Sequence, residues 1–307
     1  MVLSDADRDA LAAAVRRLER PGLAGRLVAL SGKPAAYLER ALPAGATAVI
    51  AKAAALALER ALAVALYSIE DERLRPAIRG RRAHSALACA SGAVGGAFGL
   101  AALPVELPFS TTIMLRAIAA IAREEGEDLG DPQAALACLE VFALGAPQPR
   151  AATRPETSPG SPQGEGRLGE SGYFAIRAML ARALAGMADH VVDRGVLREG
   201  APHLVRFVAR VAGRFGVVVS QKLMAQTAAV LGAFGGAAIN LAFAEHFQDL
   251  ARAHFTVRRL ERIYGTGPVR DQYERLRAAL APQGTSQSAP RLPPPGPRFI
   301  SEDRGIS

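Results

Sequence analysis

The chain has 307 residues, a formal net charge of +8 and a pI near 10.1; half of its residues are hydrophobic, only 5% are aromatic, and tryptophan is absent. That length can bury a full core, and the surplus of small apolar side chains excludes the β-branched, aromatic-rich core of a sandwich and points to close-packed helices. The positive charge is almost all arginine, with lysine only at Lys33, Lys52 and Lys222, and it alternates with acids as in Glu59-Arg60 and Glu70-Asp71-Glu72-Arg73, the pattern of solvated helix faces, so no nucleic-acid partner is expected.

In chain order, Ser4 with Asp7 three residues later has the form of a helix cap with acid in the first turn. The helix it opens is expected to stop near Arg20, before Pro21-Gly22. Gly32-Lys33-Pro34 and Pro43 mark further breaks, and Ala44 to about Ile69 reads as a long Ala/Leu/Val helix buried on most sides. A basic stretch, Arg73–Arg82, precedes a run from Ala83 to Val105 with no charge other than one on His84. Glu106, between Pro104 and Pro108, ends that run, and a polar-studded helix is expected from Phe109 to Glu125. Asp131-Pro132 is a helix start, with Asp as cap and Pro in the first turn; its helix carries Cys138 and Glu140 and fades at Gly145.

Residues 146–171 are mostly Pro, Gly, Ser, Thr, Glu and Arg, too poor in large apolar side chains to offset the entropy of ordering, and are expected to be a disordered loop. The second half restarts at Gly172-Tyr173 with a helix to about Val192, then a helix from Ala201-Pro202 and a helical stretch through Val217, Lys222 and Gln226. Leu223 to Ala244 is again uncharged, and a charged helical segment follows to Tyr264-Gly265, then a last helix over about Val269 to Leu280. Residues 282–307 read as a disordered Pro-rich tail. The expected fold is therefore an all-α multi-helix bundle, with halves 1–145 and 172–281 packed as one domain.

The two uncharged stretches share a short string: Gly92-Ala-Val-Gly95-Gly96-Ala97 and Gly232-Ala-Phe-Gly235-Gly236-Ala237, 140 residues apart, each followed by a glutamate, Glu106 or Glu245. This suggests an internal two-fold duplication. Ser91, Gly95 and Gly99 are spaced by four, as are Ala228, Gly232 and Gly236. On a helix such a spacing makes one smooth face that lets two backbones approach. Each glycine costs roughly 1 kcal/mol against alanine in a helix, so close packing must compensate, in a bundle centre or in a membrane. The stretches are long enough to span a bilayer, but they are Ala/Gly-rich and the mean hydropathy of the whole chain is only +0.14, which favours a soluble or peripheral protein over an integral one.

Several strings resemble the EcsC protein family: Leu103-Pro-Val-Glu-Leu-Pro-Phe-Ser-Thr-Thr through Asp128-Leu129, Asp131-Pro-Gln-Ala-Ala-Leu-Ala-Cys-Leu-Glu through Gly145, Arg214-Phe-Gly-Val-Val-Val-Ser-Gln-Lys222, and His246-Phe-Gln-Asp249 through Arg258–Gly265. The likeness covers roughly residues 10 to 280, with 146–171 as an insertion. It implies a bacterial protein linked to ABC-type transport or the cell envelope, and it brings no catalytic residue set with it.

The polar residues that stand out fall in a few places. Glu245, His246, Asp249, Arg252 and His254 are spaced to meet on one helix, and a histidine beside a carboxylate can act as a base. The spacing is not that of a metalloprotease helix, so no metal site is expected. Glu106, with Arg116 downstream, is a carboxylate beside an apolar run, which can raise its pKa; Glu140 and Lys222 sit in apolar surroundings as its potential buried partners, and Asn240 lies one turn beyond Gly236. No nucleophile elbow, phosphate loop or dinucleotide fingerprint occurs, and no cofactor is expected. Cys89 and Cys138 lie far apart in apolar surroundings, and the N-terminus lacks the basic and apolar regions of a signal peptide, so a reducing, cytoplasmic setting is expected.

The leading expectation is a non-enzymatic accessory or interaction protein at the inner face of the membrane, binding an anionic lipid surface or a transporter component through Arg73–Arg82 and the glycine-notched helices. The alternatives are a hydrolase using Glu106, His246 and Asp249, and a soluble protein-binding scaffold.

Overall fold

The computed structural model describes residues 3–19, 23, 45–70, 103–147, 171–184, 202–228 and 232–280. Among these there are eight helices and no strand, an all-α bundle as the composition implies: α1 (Asp5–Leu18), α2 (Ala46–Glu70), α3 (Leu103–Glu124), α4 (Pro132–Leu144), α5 (Gly172–Leu184), α6 (Pro202–Ala228), α7 (Gly232–Tyr264) and α8 (Thr266–Leu280). The Arg73–Arg82 stretch, the glycines Gly92, Gly95, Gly96 and Gly99, Cys89, residues 148–170 of the expected loop and the tail from 281 lie outside the described residues.

Local chemistry sets the helix ends. The Ser4 hydroxyl accepts from the Asp7 amide and the Asp131 carboxylate from the Gln133 amide, each satisfying a donor that the first turn leaves unpaired. Gly265 takes a positive φ of +86°, which ends α7 and lets α8 begin one residue later, as glycine does at helix C-termini.

Three expected boundaries move. Glu106 does not mark a break: α3 starts at Leu103 and runs through Pro104, Glu106 and Pro108. Pro104 sits in the first turn, where its missing N–H is no loss, and Pro108 removes one bond close to the same end. The two helical stretches expected after Ala201 are the single 27-residue α6. Conversely, Ala228, Gly232 and Gly236 do not fall on one helix, because Ala228 is the last residue of α6 and Gly232 the first of α7. Glycine is least favourable in a helix interior, so the Gly-rich string suits the start of a helix better than the middle of a longer one.

The 33-residue α7, roughly 50 Å long, is the axis of the bundle. It packs against α1, α3, α4, α6 and α8, while α2 lies on α3 and α6 and α5 lies on α4 and α6. Phe142 of α4, Phe215 of α6 and Phe243 and Phe247 of α7 form one buried aromatic cluster with ring centroids 5.0–6.2 Å apart. Phe247 fills the space over Gly145, where an added Cβ would come within 2.7 Å of the ring.

Candidate functional site

Asn240, Phe247, His254 and Glu261 follow one another at intervals of seven along α7. Seven residues fall about 20° short of two full turns, so these four side chains share one stripe. Phe247 belongs to the aromatic cluster. The residues on either side of it belong to two separate polar centres inside the bundle.

The first centre joins α3, α6 and α7. Lys222 Nζ donates to Glu106 Oε1 at 2.7 Å, with the lysine side chain fully buried and the glutamate side chain 7% exposed. Asn240 Nδ2 reaches the same oxygen at 3.5 Å, and Lys222 Nζ also lies 5.1 Å from the centre of the Phe243 ring. Glu106 is presented by the first turn of α3, where the helix dipole favours a carboxylate. A buried ammonium needs such a partner, because leaving water alone costs several kcal/mol.

The second centre joins α4, α5 and α7. Tyr173, first turn of α5, places its hydroxyl 3.0 Å from His254 Nδ1, and His254 Nε2 lies 3.7 Å from Glu140 Oε2 of α4 with no hydrogen-bond partner of its own. Arg177, one turn beyond Tyr173, donates to the Tyr173 hydroxyl at 3.4 Å and makes a two-pronged pair with Glu261 at 2.8 and 2.9 Å. Tyr173 and His254 are fully buried, and Tyr173 stacks on Tyr273 of α8, whose hydroxyl donates to Glu19 just past α1.

The electrostatics follow from that burial. Loss of water, then the charges of Arg177 and Arg258, hold His254 well below the usual imidazole range, so it is neutral. Burial pushes Glu140 up to about 7, Arg177 and Arg258 offset only part of the shift, and Glu261 adds to it. Burial also raises the Tyr173 hydroxyl, and it raises the Cys138 thiol to about 12, which leaves Cys138 an unreactive core residue at neutral pH.

Outside both centres, α7 grips the α3–α4 turn. Gly126, at φ +81°, reverses the chain there. Arg258 binds Glu127 through two nitrogens at 2.9 and 3.1 Å, Arg262 pairs with the same carboxylate, and Arg259 binds Glu125 at 2.9 Å and Asp7 of α1 at 3.5 Å. Tyr264 donates to Asp7 at 2.7 Å. Burial works against the Glu127 charge, but the bonds and charges of Arg258 and Arg262 hold its pKa below the usual value.

The residues singled out in the sequence therefore sort into different places. Glu106, Lys222 and Asn240 come together, as do Glu140 and His254. His246 Nε2 instead faces the Gly145 carbonyl at 3.4 Å, at the end of α4. His246 is six residues, roughly 9 Å of helix rise, beyond the Asn240 that touches Glu106. Glu245, Asp249 and Arg252 are half-buried on α7, and Arg116 is exposed on α3. Gly232, Gly235 and Gly236 form the first two turns of α7. Sequence reasoning missed Tyr173, Arg177 and Glu261. Two signals were available: the four-residue step from Tyr173 to Arg177, and the seven-residue step from His254 to Glu261.

The EcsC protein family model matches residues 8–260, from α1 to near the end of α7. The chain belongs to the EcsC protein family. Both polar centres draw on helices inside the matched EcsC region, with Glu261 one residue past its end and α8 beyond it. No match is found among curated proteins or among solved structures.

Proposed function

We propose that this EcsC-family chain is a non-catalytic accessory protein that attaches peripherally to the inner face of a membrane, beside a transport system, by sinking the N-terminal end of α3 into the lipid interface. The observation that carries this reading is the exposure of Val105 (78%) and Phe109 (56%), four residues apart on one face at the start of α3. An exposed aromatic beside an exposed aliphatic is what an interfacial anchor presents to a bilayer. In sequence Val105 ends the uncharged run from Ala83, and Phe109 lies four residues beyond. Among the described residues α3 is also the one helix long and apolar enough to cross a membrane, but 67% of its apolar window is buried against the rest of the bundle. That burial favours docking of one end over insertion of the whole helix.

The hydrolase reading loses support from the same geometry, because the Glu106 carboxylate is bound by Lys222 and Asn240 inside the core while His246 faces the end of α4.

The test is sedimentation of the purified full-length chain with vesicles of phosphatidylcholine alone and with added phosphatidylglycerol, at low and high salt. Retention on the anionic vesicles, weakened by salt and reduced at least about tenfold by the pair V105D and F109D, supports the reading. No retention at low salt, or retention indifferent to both substitutions, overturns it.

A further inference from the structure

The second polar centre has a property that its packing role does not require. Arg177 is a donor only, so the Tyr173 oxygen accepts from it; with His254 Nδ1 3.0 Å away, Tyr173 can then either donate to a bare Nδ1 or accept from Nδ1–H. The first arrangement puts the imidazole hydrogen on Nε2, the nitrogen facing Glu140 Oε2 at 3.7 Å, and the second leaves Nε2 bare. The first suits an ionised Glu140, which only accepts. The second gives the hydrogen of a protonated Glu140 a bare nitrogen to meet.

We propose that Glu140, His254 and Tyr173 form a proton-controlled switch inside the bundle, in which protonation of Glu140 moves the His254 ring hydrogen from Nε2 to Nδ1, reverses the Tyr173–His254 hydrogen bond and so remakes the contact among α4, α5 and α7. The step takes one proton from solvent. In the ionised form Nε2–H faces the carboxylate across 3.7 Å, an electrostatic contact longer than a hydrogen bond, and Nδ1 accepts from Tyr173. In the protonated form the Glu140 hydroxyl donates to Nε2, Nδ1 carries the ring hydrogen and donates to the Tyr173 oxygen, and Tyr173 keeps its own hydrogen but turns it away. The imidazole stays neutral in both forms, so the charge change is that of Glu140 alone.

Three observations support this. His254 is fully buried and its Nε2 has no hydrogen-bond partner, aimed as it is at Glu140. Glu140 keeps 14% of its side chain accessible, a route for the proton. The Glu140 pKa, raised to about 7, puts the change in the physiological range while His254 remains neutral. The groups facing Glu140 are Arg177 and Tyr173 from α5 and His254, Arg258 and Glu261 from α7. Cys138 lies on its own helix, with Glu127 from the preceding turn acting on it. From α6, Arg214 reaches α4 only at its far end, on the Ala143 and Ala146 carbonyls. All of the cations nearby are arginines, which hold their charge throughout, so Glu140 is the member of the set free to titrate near neutrality.

The experiment is a pH titration of the imidazole 15N resonances of His254 in the full chain, from about pH 5 to pH 9, a range that brackets the shifted carboxyl and the ordinary imidazole. The expected result is an exchange of the hydrogen-bearing and bare nitrogens between Nε2 and Nδ1, with the Glu140 side-chain carboxyl 13C resonance moving at the same midpoint, and no exchange in E140Q. The proposal is overturned if the His254 tautomer is constant in the wild-type chain, if it becomes doubly protonated in that range, or if E140Q shows the same transition. Should E140Q fail to fold, the wild-type coincidence or non-coincidence of the two midpoints decides.

Discussion

The two polar centres on the α7 stripe solve the same problem in opposite ways. At Asn240 the bundle buries a full positive charge, Lys222, and neutralises it with Glu106 at 2.7 Å. At His254, roughly 21 Å along the helix, the two innermost groups are kept neutral. The guanidinium of Arg177 sits nearer the edge, with 20% of its side chain exposed, and is paired there with Glu261. The aromatic cluster around Phe247 lies between them and keeps either from sharing the other's partners. The difference teaches that a buried ion pair is a fixed joint, because removing either charge strands the other. A neutral imidazole–carboxyl pair can exchange a proton with solvent at low cost.

The largest effect expected is at the ion pair. Lys222→Met leaves Glu106 without its cation and is expected to cost about 3–5 kcal/mol in urea unfolding, while Lys222→Met combined with Glu106→Leu recovers most of the loss, as paired replacement of buried ions does. Full additivity of the two single losses would refute the joint.

At the second centre the expected effect depends on pH. Native Glu140 keeps its proton up to about 7, whereas the unfolded chain releases it near 4.5, so its contribution is fully present below pH 4.5 and is lost as pH rises to 7. Native His254 stays neutral while the unfolded imidazole takes a proton below 6.5, so its contribution is lost as pH falls below 6.5. Between those limits the two slopes oppose each other, each about 1.4 kcal/mol per pH unit at most. H254Q is therefore expected to gain stability on acidification from pH 7 relative to wild type, and E140Q to lose it, read from unfolding midpoints across that range. Identical pH profiles for the two variants would show that the centre does not titrate as described.

The smallest effect belongs to the outer clamp. Glu127→Gln weakens the hold of Arg258 and Arg262 on the α3–α4 turn, and because Arg262 is 41% exposed the loss is expected to be about 1 kcal/mol and to shrink in high salt. With the Glu127 pKa held below the 4.5 of an unperturbed glutamate, this contribution is present above that pH and is lost as pH falls further. A salt-insensitive loss larger than that at Lys222 would overturn the ranking of buried over exposed pairs.

Much of this was legible in the linear chain. Caps at Ser4 and Asp131 and the stop at Gly265 place helix ends by local chemistry alone, which needs no neighbour. Lys222 in an uncharged stretch and Glu106 beside another identified themselves as candidates for burial, since a lone charge among apolar residues must find a partner. The family strings were readable for the same reason, being contiguous.

What tertiary structure decided was who meets whom. Nothing in the spacing of Glu245, His246, Asp249 and Arg252 says that His246 turns to the end of α4 while His254, two turns on, is taken into the core with Glu140 from 114 residues earlier. Nor could the sequence tell that Ala228 and Gly232 belong to different helices, because glycine at a helix start and glycine in a packed helix look alike in one dimension. Sequence by itself determined the all-α class, the caps and the charges that had to be paired. Only packing could assign the pairs, because burial and pKa depend on which side chains approach from other helices, and that is set by the three-dimensional crossing of α7 with its neighbours.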